Sequence, residues 1–183
     1  MAEAEKPATT MEEKVEKALG LKSEGNEHFK NKDYKSAIRK YHNALLYVKG
    51  LLDRAKTYQS LGTALPEVTM QSPPSDELEE KIKELQLTCY NNLAACLLKT
   101  EKYDRVLDYS NKALGIESKN TKALFRRGTA SYHLKNFHDA EKDFTYILEL
   151  SPKETSVQKY LKEIELQKRN SLEKQKQMYS KMF

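Results

Sequence analysis

The sequence predicts an all-α fold: a stack of helix-turn-helix hairpins, with an insertion after the first and a helix closing the end. Three observations carry this. Charged residues make up 32% of the 183-residue chain, with only 6 Gly and 5 Pro, a composition of long helices with few breakers. The apolar residues recur at helical rather than alternating spacing. The chain also repeats itself. With small residues as anchors, the offsets +9, +12, +16 and +19 give Tyr34, Ala37, Tyr41 and Ala44 from Gly25. They give Tyr103, Val106, Ser110 and Ala113 from Ala94, and Phe137, Ala140, Phe144 and Ile147 from Gly128.

The step from Ala94 to Gly128 is 34 residues; that from Gly25 to Ala94 is 69, one period plus an insertion of 35. A 34-residue period of paired helices is that of the tetratricopeptide repeat (TPR). A small anchor lets helix A approach helix B, and the aromatic at +9 opens helix B under the turn. Pro152 falls at +24 from Gly128, where such repeats often start the next helix. Glu24, His28 and Ser110 depart from the preferred apolar or aromatic types.

In chain order, residues 1–13 are short, polar and Pro-containing, and are expected to be disordered. Residues 14–150 form the repeat domain, with repeats at about 18–60, 87–120 and 121–154. Helix B of repeat one is expected to continue through Leu45, Val48, Leu52 and Ala55. Residues 61–76, with Pro66, Pro73 and Pro74, read as an exposed loop. A tolerated surface insertion is favoured there over a binding device. Asp76 is expected to cap a long helix A of repeat two. Residues 151–183 begin with Ser151 and Pro152 as the cap of a last helix, whose stripe Val157, Leu161, Ile164 and Leu172 covers the end of the stack. Its far end is basic and carries Met178, Tyr179, Met182 and Phe183. Capping and self-association are weighed there against calmodulin or a membrane surface.

The A helices of such a stack line a concave groove. Lys122 and Arg126 are four apart and share a helix face, where like charges cost roughly 0.2–0.5 kcal/mol. A solvated face is the bland explanation; an anion held by both is the sharp one. Asn92 stands two before Ala94 as Arg126 stands two before Gly128, and Lys22 and Asn26 form another i, i+4 pair beside Gly25. Three cations and two amides, with no acid among them, make a donor-rich cradle for a carboxylate. Arg127 points elsewhere and reads as structural. One turn further along each helix, Phe29, Ala95, Lys99 and His133 are candidates for a pocket.

"KSEGNEHF", "CYNNLAACLLK" and "KALFRRG" resemble the three A helices of carboxylate-clamp TPR domains, found in co-chaperones such as the large FK506-binding immunophilins and the stress-induced organising protein. The inserted first repeat and "CYNNLAACLL" are most similar to the small tetratricopeptide repeat protein 9 family. "QMYSKMF" resembles that family's tail and the last helix of immunophilins. The resemblance spans roughly residues 14 to 183, and Lys22, Asn26, Asn92, Lys122 and Arg126 all match the clamp. It implies recognition of the free C-terminal Glu-Glu-Val-Asp tail of the heat-shock protein 90 and heat-shock protein 70 chaperones. Asn26 and Asn92, helped by Lys22, would hold the main-chain carboxylate; Lys122 and Arg126 would hold the other acid and backbone carbonyls. Charge-assisted hydrogen bonds contribute about 1.5–3 kcal/mol each. After ordering costs, micromolar binding is expected, about −8 kcal/mol. The rival reading is a TPR scaffold holding another partner by its groove or its apolar tail.

Other functions find little support. The net charge of +5 and pI of about 9.0 suit an acidic partner. Acids interrupt the basic residues, with eight Lys+Arg against four Glu over 153–183, so no nucleic-acid face is expected. Cys89 and Cys96 lie two helical turns apart, about 10 Å, too far for a disulfide. They read as core thiols of a reducing compartment, the cytosol with the nucleus as a second location. There is no apolar run of eighteen residues and no secretory signal. His28, His42, His133 and His138 share no ligand spacing, so neither metal nor cofactor is expected. No catalytic constellation or Gly-rich phosphate loop stands out, so the chain is not expected to be an enzyme. It has no stretch left over for a prolyl isomerase domain, and the start at Met1 speaks mildly against a fragment of an immunophilin.

Overall fold

The computed structural model describes residues 10–52 and 75–181. The described residues form seven helices and no strand: α1 (Met11–Lys30), α2 (Tyr34–Val48), α3 (Asp76–Lys99), α4 (Tyr103–Ile116), α5 (Thr121–His133), α6 (Phe137–Leu150) and α7 (Thr155–Ser180). This is the helical solenoid of TPR hairpins. The chain divides into two compact units that part between Cys96 and Leu97.

In the first unit α1 packs along α2. α1 starts at Met11, earlier than the sequence suggests. Thr10 caps it, accepting from the Glu13 backbone while the Glu13 carboxylate returns to the Thr10 N–H, a capping box that satisfies two orphan donors. Gly25 allows the close approach of α2, since a Cβ there would sit 2.7 Å from the Tyr41 ring. The expected continuation of α2 is broken at Lys49 and Gly50, with helix again at Leu51 and Leu52. The helix stops at Val48, Lys49 is extended, and Gly50 takes φ +73°, a conformation that glycine alone adopts cheaply. The break changes the register, so Leu51 is buried and Leu52 only partly so; Ala55 lies outside the described residues, as do Pro66, Pro73 and Pro74. Ser75, not Asp76, caps α3: its hydroxyl accepts from the Leu78 N–H at 3.3 Å. α3 buries Leu78, Ile82, Leu85, Cys89 and Leu93, spaced at one turn along one face.

In the second unit α4 packs on α5, α5 on α6 and α6 on α7. Leu124, Phe144, Ile147, Val157 and Ile164 form its core, with Phe125 and Tyr160 packed against it. The Gly128 anchor faces Phe144 as Gly25 faces Tyr41, at 2.8 Å from a notional Cβ. α7 does not begin at Ser151–Pro152. Ser151 ends α6, residues 151–154 form a turn, and α7 follows Glu154, whose side chain makes no capping bond. Val157 and Ile164 are buried and Leu161 partly so, but Leu172 is 53% exposed. The helix therefore covers the last hairpin with its first three turns. Lys168 pairs with Glu141 of α6, and every described residue from 165 on is exposed.

The three A-to-B turns share one backbone solution. Lys32, Glu101 and Lys135 all lie in the left-handed region, at φ 60°, 56° and 65°. The next residue's N–H reaches back to the helix: Asp33 to His28 O, Lys102 to Leu97 O and Asn136 to Ser131 O, at 2.8–2.9 Å. This is the Schellman closure, which satisfies carbonyls that the helix end would otherwise leave open.

Candidate carboxylate-binding site

Lys22 and Asn26 lie one turn apart on α1, and Asn92 lies on α3. All three are half-buried. Asn26 Oδ1 accepts two hydrogen bonds, from the Tyr41 hydroxyl at 2.8 Å and from Asn92 Nδ2 at 3.0 Å. Both lone pairs of that oxygen are then in use, so Asn26 has its Nδ2 donors left to present. Asn92 donates one N–H to Asn26, and its amide also lies against the Tyr41 hydroxyl. Tyr41 is 1% exposed, and burial pushes its phenol pKa upward, which keeps it a neutral donor. Burial likewise pushes the Cys89 thiol up to about 12, against the pull of the Lys22 charge. Among the described residues Lys22 pairs with no acid, whereas Lys40 nearby is taken by Glu24. The first unit thus presents Lys22, Asn26 and Asn92 as donors, with no counter-charge paired to Lys22 among the described residues.

In the second unit Lys122 and Arg126 occupy the first two turns of α5. Asn120 caps this helix through a 2.9 Å bond from the Ala123 N–H. Arg126 Nη1 donates to the Lys122 carbonyl at 3.0 Å, which lays the half-buried guanidinium back along the helix toward the exposed Lys122. Arg127 goes elsewhere. Its Nε and Nη2 grip buried Asp143 at 2.8 and 2.6 Å, and its Nη1 bonds Asn111 at 2.8 Å. That two-pronged pair commits it to holding α5 on α6.

The four pocket candidates fare differently. Phe29 is half-buried and packs edge-to-face on Tyr34, centroids 5.6 Å apart, so it helps close the first turn. Ala95 is half-buried, and Lys99 is exposed at the end of α3. His133 is exposed on α5, stacked on Tyr103 at 4.5 Å with planes 6° apart. It borders a cavity of about 410 Å³ with Tyr132, Tyr160, Lys159 and Glu163.

Tyr41 is the residue the sequence undersold. Its offset marks it as a packing aromatic, yet its hydroxyl orients Asn26. The readable signal is that the matched slot in repeat three holds Phe144, which has no hydroxyl. Among the described residues no group of His, Cys, Asp and Glu could hold a metal, and no helix is long and apolar enough to cross a membrane.

Comparison with known proteins sharpens the assignment. No protein-family model matches the chain. Tetratricopeptide repeat protein 9C of Xenopus tropicalis is 35% identical over 169 residues, covering 91% of this chain and 92% of that protein. The peptidyl-prolyl cis-trans isomerase FKBP4 of Bos taurus is 32% identical over 172 residues; the match covers 94% of this chain but spans about a third of that protein, 33%. Among solved structures, the C-terminal TPR-containing domain of a Plasmodium falciparum FK506-binding protein superposes with a TM-score of 0.72 at 26% identity, covering 90% of this chain and 96% of that one. The first TPR domain of Spaghetti (RPAP3), bound to the HSP90 peptide SRMEEVD, shares the fold at a TM-score of 0.60 and 23% identity, covering 83% and 93%. These are TPR domains, a protein-interaction fold. Near-complete coverage in both directions at 35% identity places the chain in a family: it belongs to the tetratricopeptide repeat protein 9 family of TPR proteins.

Proposed function

We propose that this protein is a non-enzymatic co-chaperone adaptor that binds the acidic C-terminal tails of heat-shock protein 90 and heat-shock protein 70 through a carboxylate clamp of Lys22, Asn26, Asn92, Lys122 and Arg126. The observation that carries it is the Asn26 amide. Tyr41 and Asn92 fill its oxygen, so it offers N–H donors beside a lysine that pairs with no acid among the described residues. A terminal Asp supplies two carboxylates for such donors. The relation to an immunophilin and the shared fold with a domain bound to SRMEEVD support the reading. Phe29, Ala95, Lys99 and His133 border the path of the residues before the terminus. The cytoplasm, where such chaperone tails are met, is the working compartment.

Calorimetry with SRMEEVD tests this. The free acid should bind in the micromolar range, about −8 kcal/mol. The C-terminal amide should not bind, nor should Lys122→Ala or Arg126→Glu bind the acid, while helicity is kept. Affinity should weaken as salt rises from about 50 to 500 mM and the Debye length shortens. Equal affinity for acid and amide would sink the clamp. Salt-independent binding would favour the second reading, a scaffold gripping a partner by apolar contact. That reading rests on Leu172, Met178 and Tyr179, all more than half exposed on α7, where calmodulin binding or self-association would act.

A further inference from the structure

The second unit holds a cavity of about 410 Å³ between the end of α5 and the first turns of α7. Its walls are aromatic: Tyr132 and Tyr160 meet edge-to-face at 5.2 Å, and His133 stands edge-on to Tyr132 at 5.5 Å. Glu163 takes the Tyr132 hydroxyl on Oε2 at 3.1 Å, which leaves Oε1 to accept from a guest. Lys159, one turn earlier on α7, makes no ion pair with Glu163. The rim therefore presents a positive and a negative end about 6 Å apart along the helix.

The cavity lies in line with the clamp cations. Lys122, Arg126 and His133 fall at i, i+4 and i+11, a single stripe of α5. From Lys122 to His133 the helix rises about 16 Å. An extended peptide rises about 3.3 Å per residue, so one whose terminal acid sits at Lys122 reaches the cavity about five residues upstream. Two residues of extended chain also span about 6.6 Å, close to the Lys159–Glu163 spacing. An acidic residue facing Lys159 would thus set a residue two places away against Glu163.

We propose that the α5–α7 cavity is a selectivity site for a basic side chain, arginine above all, about five residues before the terminal carboxylate of a bound acidic peptide. The cation lies against the tyrosine faces and donates to Glu163, while Lys159 meets the acid two places along. The proposal rests on the clamp reading and adds a preference to it: among acidic tails, those with an upstream basic residue bind more tightly.

The test titrates the full chain with SRMEEVD and SAMEEVD. Wild type should bind the arginine peptide about three- to thirtyfold more tightly, the range of a cation–π contact joined to a solvent-exposed ion pair. Glu163→Gln keeps an acceptor for Tyr132, so the fold is undisturbed, and should bring the ratio close to one. Glu163→Lys should invert it in favour of SAMEEVD. A wild-type ratio below about twofold, or a ratio unchanged by Glu163→Gln, overturns the selectivity site while leaving the clamp standing. If neither peptide binds wild type, the clamp reading fails and takes this proposal with it.

Discussion

Asn26→Asp separates the architecture of the candidate site from its chemistry. The carboxylate has almost the shape of the amide, and its oxygen can accept the same bonds from Tyr41 and Asn92. Lys22, one turn away on α1, lies within reach of the new charge. Folding stability in urea should stay within about 1 kcal/mol of wild type. Binding should not survive. The substitution removes a charge-assisted donor, about 1.5–3 kcal/mol, and sets a negative charge against the peptide carboxylate. At 4 Å and an effective dielectric near 20 that repulsion is about 4 kcal/mol, and Lys22 and solvent screen part of it. A net loss of about 3–5 kcal/mol weakens binding roughly 150- to 5000-fold, from micromolar to the sub-millimolar or millimolar range. Calorimetry with SRMEEVD reads the affinity, and circular dichroism confirms the helices. If Asn26→Asp binds within about tenfold of wild type with its helices intact, Asn26 does not present its amide to the ligand and the site must be redrawn.

The remaining predictions concern packing, ionisation and the tail. A Cβ at Gly25 or Gly128 would press on the buried Tyr41 or Phe144 ring, so alanine there should destabilise by about 1–2 kcal/mol in urea melts, overpacking outweighing the gain in helix propensity. Gly20 and Gly115 have open space, and alanine should add about 0.5–1 kcal/mol. Burial raises the Cys89 thiol from 9.0 to about 12. The unfolded thiol ionises first as pH rises, so stability is full below pH 9 and falls by about 1.4 kcal/mol per unit between about 9 and 12. Cys89→Ala should flatten that part of the urea-midpoint profile, which buried Tyr41 steepens in the same direction. Removing residues 171–183 should leave the melting temperature within about 2 °C and peptide affinity unchanged, because the described side chains there are exposed; a large fall in melting temperature would show that the tail is structural.

The repeat was legible because its signal is a matched set of offsets, and Gly25 and Gly128 meet the aromatics they announced. The clamp candidates came from two spacings: Asn92 and Arg126 each stand two before their anchor, and Lys22 with Asn26, like Lys122 with Arg126, form i, i+4 pairs on one helix face. What escaped was local and conformational. A lysine or glutamate gives no hint that it sits at positive φ, so the turn closures at Lys32, Glu101 and Lys135 were invisible. Helical spacing ran through Gly50 on paper because Leu45, Val48 and Leu52 keep their period whether or not the backbone breaks. Ser75 and Asp76 are both good caps, and only the bond to Leu78 decides between them. The double use of the Asn26 oxygen depends on two residues distant in sequence, which no spacing rule within one repeat brings together.

The shared geometry of the three A-to-B turns has a consequence for how such a chain can change. Each holds a side-chain-bearing residue where glycine would sit at ease, a cost of roughly 1–2 kcal/mol apiece. The closing bonds run from backbone to backbone, so almost any sequence can occupy the turn if its length is kept. The hairpins are in that sense interchangeable cassettes. A turn grafted from one repeat to another should be accepted, whereas one added residue would rotate helix B about its axis and turn its buried row outward. Evolution of the stack is then free in letters and fixed in count, and glycine at these three positions remains an unused reserve of thermal stability.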